Sequence, residues 1–326
     1  VTLVSLCATP ICEMERLRNF QSNDGMLLLG RLDGRLQNSP CADIFIARSR
    51  LEGAAALAGL AGVPITIGDL QSWIAGRSPP PRASEGLNDP ISVAAIFHLA
   101  LSRDDDAKDP LTLATLRTLR TILDDRSAAE TYGNEDLAHF GPLWRRVRSA
   151  ASAPFPVGGL LAIAQRVFEL AEMTEQTSGR ASDVVSIDGR AWELPARHRD
   201  RNWLVATAVP LMVHRAGFTG RIIPSLVLLP KFLPPSPGAL AEILADRLTD
   251  AAAAGLRELD WIERAMHRQA AHRQLTKRSK APLLARLQIA YPGLSPAAVS
   301  KLLDVTPQGA RKLLAATSGP SDPMLV

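Results

Sequence analysis

Residues 294–317, LSPAAVSKLLDVTPQGARKLLAAT, carry the punctuation of a helix-turn-helix. Ser295 and Thr306 each stand directly before a proline, Pro296 and Pro307. A hydroxyl at the cap position accepts an orphan amide of the first turn, and proline at the first helical position loses nothing by lacking an N–H. Each start signal is doubled, so the spacing predicts two short helices joined by a tight turn. Leu302, Leu303 and Val305 supply the apolar corner, Ser300 is small where the helices approach, and Ala310, Leu313 and Leu314 form the inward face of the second helix. Gln308, Arg311 and Lys312 are left on the outer face, and these side-chain types bond base edges or phosphates from a helix in the major groove.

The expected partner is therefore double-stranded DNA. Gln308 and Arg311 are assigned to base edges and Lys312 and Ser295 to phosphates, with Lys301 and Thr306 completing the binding surface. Charge supports the assignment. Trp261 to Lys312 holds ten Lys/Arg against two acids, Glu263 and Asp304, whereas residues 1–260 hold 27 basic against 30 acidic residues. The total of +4 thus hides a basic module on a slightly acidic body, an asymmetry that suggests a nucleic-acid partner. The run Arg264, Arg268, Arg273, Lys277, Arg278 and Lys280 is expected to track phosphates beside the recognition helix, adding affinity without sequence information. One such module gives little specificity, so a homodimer reading two half-sites is expected.

The rest of the chain reads as all-α. Its 326 residues are 46% hydrophobic but only 5% aromatic, and Ala and Leu dominate the periodic segments, which favours packed helices over sheets. Helical periodicity marks Met26–Leu36, Ile44–Leu60, a short helix opened by Thr66 and Asp69 and ending at Ile74, Ile91–Leu101, Leu111–Leu123, Leu137–Arg148 and Val157–Met173. Prolines make Gly76–Pro90 a surface loop, and Arg103–Pro110 is an acidic turn. Residues 174–202 are polar and irregular, with a turn or small hairpin at Ile187–Arg190. Trp203–Ala216 reads as one apolar helix and Ile222–Leu233 as a buried connector. Pro237–His272 is the longest helical signal, with Leu283–Tyr291 the first helix of a three-helix terminal unit. The expected division is a helical domain over 1–275, whose long exit helix spans about 238–275, a helix-turn-helix domain over 276–317, and a disordered tail over 318–326.

Several stretches resemble a helix-turn-helix family of uncharacterised function that is frequent in rhizobia and related alphaproteobacteria and often plasmid-borne. They are Leu29–Leu60 (LGRLDGRLQNSPCADIFIARSRLEGAAALAGL), Ile65–Gly76, Ala251–Ala265 and Leu294–Leu314. The resemblance implies an N-terminal helical domain with no assigned task and a C-terminal DNA-binding domain. A fainter similarity links the body to the Fic fold, whose nucleotidyl-transfer proteins combine a helical core with a Ser-rich Ile-Glu-Gly motif and sometimes a C-terminal helix-turn-helix. Ser49-Arg50-Leu51-Glu52-Gly53 is similar to that motif. The Fic catalytic signature needs a histidine base followed by glycines that cradle a diphosphate. His198-Arg199-Asp200-Arg201-Asn202-Trp203 offers the histidine without the glycines, so the alternative is a Fic-like relative without catalysis.

No catalytic role, cofactor or metal is expected. The six histidines are scattered, His267 and His272 share no helical face, and Cys7, Cys12 and Cys41 have no zinc-ligand spacing. Sparse cysteines, and the absence of a 20-residue apolar run or an export signal, fit a cytoplasmic protein with no membrane partner. The N-terminal body is left to dimerise or to sense an unidentified ligand or protein.

Overall fold

The structure, a computed structural model, describes residues 10–78, 89–102, 109–124, 141–155, 159–174, 182–185, 191–194, 201–271 and 279–317. It is all-α apart from one short strand pair. The helices are α1 (Pro10–Asn38), α2 (Ala42–Leu60), α3 (Ile67–Ile74), α4 (Pro90–Ser102), α5 (Pro110–Asp124), α6 (Gly141–Ala151), α7 (Leu160–Thr174), α8 (Asn202–Ala206), α9 (Val209–Arg215), α10 (Pro237–Ala271), α11 (Ala281–Ala290), α12 (Pro296–Leu303) and α13 (Pro307–Thr317). Strands β1 (Ser182–Val185) and β2 (Ala191–Leu194) pair antiparallel, Val185 opposite Ala191, and so bracket Ile187–Arg190.

Helix α2 is the hub. Ile44, Phe45, Leu51, Ala54 and Leu57 are buried, as are Ser49 and Arg50 on the same helix, and a helix buried nearly all round belongs in the centre of a core. It packs on α4 and α5, on α3, and on α11 of the terminal unit. Gly53 lets the connector at Pro224 and helix α4 come close, because a Cβ there would lie 2.3 Å from the carbonyl oxygen of Pro224 and 2.8 Å from Leu101.

Helices α1 and α10 run side by side in the same direction. A Cβ at Gly25 would meet Thr249, a Cβ at Gly255 would meet Leu32, and farther along Arg35 bonds both Asp260 and Glu263 at 2.6 Å. Small residues at two levels let the helices approach closely, and an ion-paired arginine closes the third.

Three boundaries differ from the sequence reading. Helix α1 begins at Pro10, well before Met26, because residues 10–25 are too polar to show an apolar period. The apolar stretch from Trp203 is two helices rather than one. Pro210 lacks an N–H and sits in the first turn of α9, so the chain breaks at Thr207–Ala208, where the Thr207 hydroxyl donates to the Leu204 carbonyl at 2.6 Å. The expected helix Leu137–Arg148 is described only from Gly141, and it continues to Ala151. Among the described residues no helix is long and apolar enough to cross a membrane.

Candidate nucleic-acid interface

The two caps form as their hydroxyls require. Ser295 Oγ accepts from the Ala298 N–H at 3.1 Å, and Thr306 Oγ1 accepts from the Gly309 N–H at the same distance. Between the helices the chain turns at Asp304, which adopts the left-handed conformation (φ 52°, ψ 61°). Asp tolerates that region better than most residues. The Ser300 hydroxyl donates to the Val305 carbonyl at 2.6 Å, so its small side chain ties the turn to the helix before it. Leu302, Leu303, Val299 and Ala310 are buried at the crossing, with Leu313 and Leu314 packed against them.

Gln308, Arg311 and Lys312 all lie exposed on α13, as do Thr306 at its start and Lys301 on α12. Ser295 is half-buried, since its hydroxyl serves the cap while its backbone N–H donates to the Ala75 carbonyl at 2.9 Å. Lys280 is engaged in a way its sequence position does not reveal. Its ammonium donates to the carbonyls of Leu303 and Asp304 at 2.6 and 3.1 Å, holding the end of α12 through a contact 23 residues away in sequence. A cation there also satisfies carbonyls left open at a helix C-terminus. Arg273, Lys277 and Arg278 lie outside the described residues, and so do His198 and His272. Arg264 and Arg268 sit with His267 beside Asp260 and Glu263, where α10 has mixed rather than purely basic charge.

The terminal unit shares the core of the body. Its buried residues, from Leu284 to Ala310, belong to the same continuous cluster as Leu29, Phe97 and Leu240. Helix α12 packs on α5, and α11 packs on α2 and α5. Tyr291, which ends α11, is fully buried with its hydroxyl 2.8 Å from that of Thr115 on α5. Burial pushes its phenol up to about 12, against a smaller opposing effect of the Thr115 hydrogen bond. Arg286 pairs with Asp43 at the start of α2, its Nε donating at 2.7 Å, and also donates to the Pro40 carbonyl at 2.6 Å. Arg48 pairs with Glu258, lies 4.8 Å from the Trp261 ring centre, and reaches the Ile289 and Ala290 carbonyls at the end of α11.

The segment similar to the Fic motif is built into this packing. Ser49 Oγ donates to Ser225 Oγ at 2.9 Å and accepts the Ser225 N–H at 2.8 Å. Arg50 is fully buried and donates to Thr112, whose N–H is capped by Asp109. Glu52 is pushed up to about 7, mainly by burial and then by Glu258, with Arg48 opposing. Nearby, His98 is held down at about 3 by burial and then by the Arg50 charge, and its Nδ1 lies 3.3 Å from the Ser102 hydroxyl. Ser49, Arg50 and Arg48 hold α2 against the connector at Ser225, against α5 and against α10. Among the described residues no group of three or more His, Cys, Asp or Glu is placed to hold a metal ion.

Comparison with known proteins leaves the function to the geometry: no protein-family model matches the chain, and no curated protein matches it.

Sequence reading missed Arg77. It follows α3 in a stretch whose prolines and serines suggest only a surface loop, yet it is exposed beside Gly293, at the entrance to α12.

Proposed function

We propose that the chain is a sequence-specific double-stranded DNA-binding protein, a bacterial transcriptional regulator that places α13 in the major groove. One observation carries the reading. The helix-turn-helix presents Gln308, Arg311 and Lys312 together on the exposed side of α13, while Ala310 between them is fully buried at the crossing with α12. That division of one helix into a packed face and a hydrogen-bonding face is what groove recognition requires. Gln308 and Arg311 meet base edges, and Lys312, Lys301 and the caps at Ser295 and Thr306 lie against the flanking strands. The protein acts in the cytoplasm as a homodimer on two half-sites, and the helical body is the place where a ligand or protein partner acts on it.

The test is a titration of the full chain with duplex fragments from its own upstream region and with an unrelated duplex, at several salt concentrations. The expected result is tighter binding to the cognate fragment and a loss of about tenfold or more for Arg311→Ala with Lys312→Ala, since a good base contact is worth roughly 1–3 kcal/mol. Absence of binding at low salt, or wild-type affinity in the double variant, would overturn the reading.

A further inference from the structure

Arg77 belongs to the body in sequence and to the helix-turn-helix in space. Helix α3 ends in a turn in which Gly76 takes a positive φ of 69°, and the N–H groups of Gly76 and Arg77 donate back to the Trp73 and Ser72 carbonyls at 2.9 Å. This returning turn is seated on α12. A Cβ on Gly76 would lie 2.5 Å from Ser295 Oγ and 3.2 Å from Ala298 Cβ, and the Ala75 carbonyl accepts the Ser295 N–H. Only a residue without a side chain fits there.

The next residue is thereby fixed in place. A Cβ on Gly293 would lie 3.0, 3.1 and 3.3 Å from Nη1, Cζ and Nε of Arg77. Three atoms of the guanidinium at nearly equal distance mean that its flat face covers the space a side chain at Gly293 would need. Nη2 donates to Ser72 Oγ at 3.2 Å, which sets the orientation of the plane, and the residue remains exposed. A planar cation is thus anchored two residues before the cap of α12 by packing and one hydrogen bond.

We infer that Arg77 is a phosphate-binding residue that the N-terminal body contributes to the DNA interface. The inference rests on the DNA-binding reading above. When the second helix of a helix-turn-helix enters the groove, the first crosses the sugar-phosphate backbone, and the turn that leads into the first helix travels with it. A guanidinium suits a phosphate because two of its N–H groups can bond two oxygens at once. Two basic residues of the terminal unit are committed elsewhere: Arg286 is paired with Asp43, and Lys280 holds the carbonyls at the end of α12. Arg77 joins the exposed Lys301 of α12 as a cation that packing leaves facing outward. The body is therefore part of the binding surface, and its contact carries affinity rather than sequence choice.

The experiment measures binding of the full chain to a mixed-sequence duplex and to the upstream fragment across a range of salt, for wild type, Arg77→Gln, Arg77→Lys and Arg311→Ala. Arg77→Gln keeps the planar polar end and removes the charge. It should weaken binding to both duplexes by a similar factor and lower the steepness of log K against log salt by about 0.9, the value of one released counterion. Arg77→Lys should retain most of the steepness, and thermal midpoints of both variants should match wild type. Wild-type affinity and steepness in Arg77→Gln, alongside weakened binding by Arg311→Ala, would overturn the role of Arg77 and leave the DNA reading standing. Failure of the wild type to bind either duplex at low salt would overturn both.

Discussion

The hydroxyls of Tyr291 and Thr115, 176 residues apart in sequence, lie 2.8 Å from each other in the interior. Tyr291 closes the helix ahead of the helix-turn-helix, and Thr115 is on α5 of the body. Thr115 also donates to the Leu111 carbonyl at 3.0 Å, so its hydroxyl has a second partner, whereas among the described residues that of Tyr291 has only Thr115. Thr115→Val is therefore expected to cost about 1–3 kcal/mol, the cost of an orphaned buried phenol, and Tyr291→Phe about 1 kcal/mol. The double variant should be clearly more stable than the sum of the two losses, because no polar group is then stranded. Urea unfolding of the full chain measures this, and simple additivity would contradict the coupling.

His98 gives a prediction about acid. Its folded value of about 3 lies below the ordinary 6.5, so between these limits the unfolded chain binds a proton that the folded chain does not. Stability from this group is complete above pH 6.5 and is lost as pH falls toward 3, at up to about 1.4 kcal/mol per pH unit. Unfolding of His98→Met at pH 7, 6 and 5 should show a shallower acid decline than wild type. An unchanged slope would mean that His98 takes up its proton in the fold as readily as in the unfolded chain.

Glu52 acts with the opposite sign. Its folded value near 7 lies above the ordinary 4.5, so the folded chain binds the extra proton in this window and loses stability as pH rises through it. Glu52→Gln should gain over wild type at pH 8, and the gain should disappear at pH 5. Equal effects at both values would show that the carboxyl ionises normally.

Two glycines on α2 should respond oppositely to the same substitution. Gly53→Ala places a methyl 2.3 Å from the Pro224 carbonyl oxygen and 2.8 Å from Leu101, which calls for a loss of about 1–3 kcal/mol or more. At Gly59 a Cβ meets nothing within 4 Å, so Gly59→Ala should stabilise by about 0.5–1 kcal/mol through helix propensity alone. Thermal midpoints that move in the same direction would contradict the close approach at Gly53.

What the sequence disclosed was local chemistry. Ser295 and Thr306 cap helices whose amides lie three residues away, and Ala310 faces inward because of its place in one helical turn. The long α10 was readable for the same reason, as was the all-α class. The contacts that join the terminal unit to the body were hidden, since Arg286 meets Asp43 across 243 residues and nothing in either neighbourhood marks the pairing. Lys280 read as another member of a basic run, although its neighbours in space are carbonyls. The Gly76-Arg77 turn carried a faint signal, a glycine directly after a short helix, but its proline-rich surroundings concealed what it packs against. Only the break before Pro210 was legible and passed over.

If the protein binds DNA as the dimer proposed above, the shared core also governs what kind of operator it can use. A recognition module on a loose tether can swing to accommodate half-sites at several spacings. Here Tyr291, Arg286 and the Gly76 turn clamp the module to a body of more than two hundred residues, so a pair of subunits would behave as a caliper with fixed jaws. Inserting a few base pairs between the half-sites would then turn one of them to the wrong side of the duplex, and the clamp would oppose the module's turning to follow it.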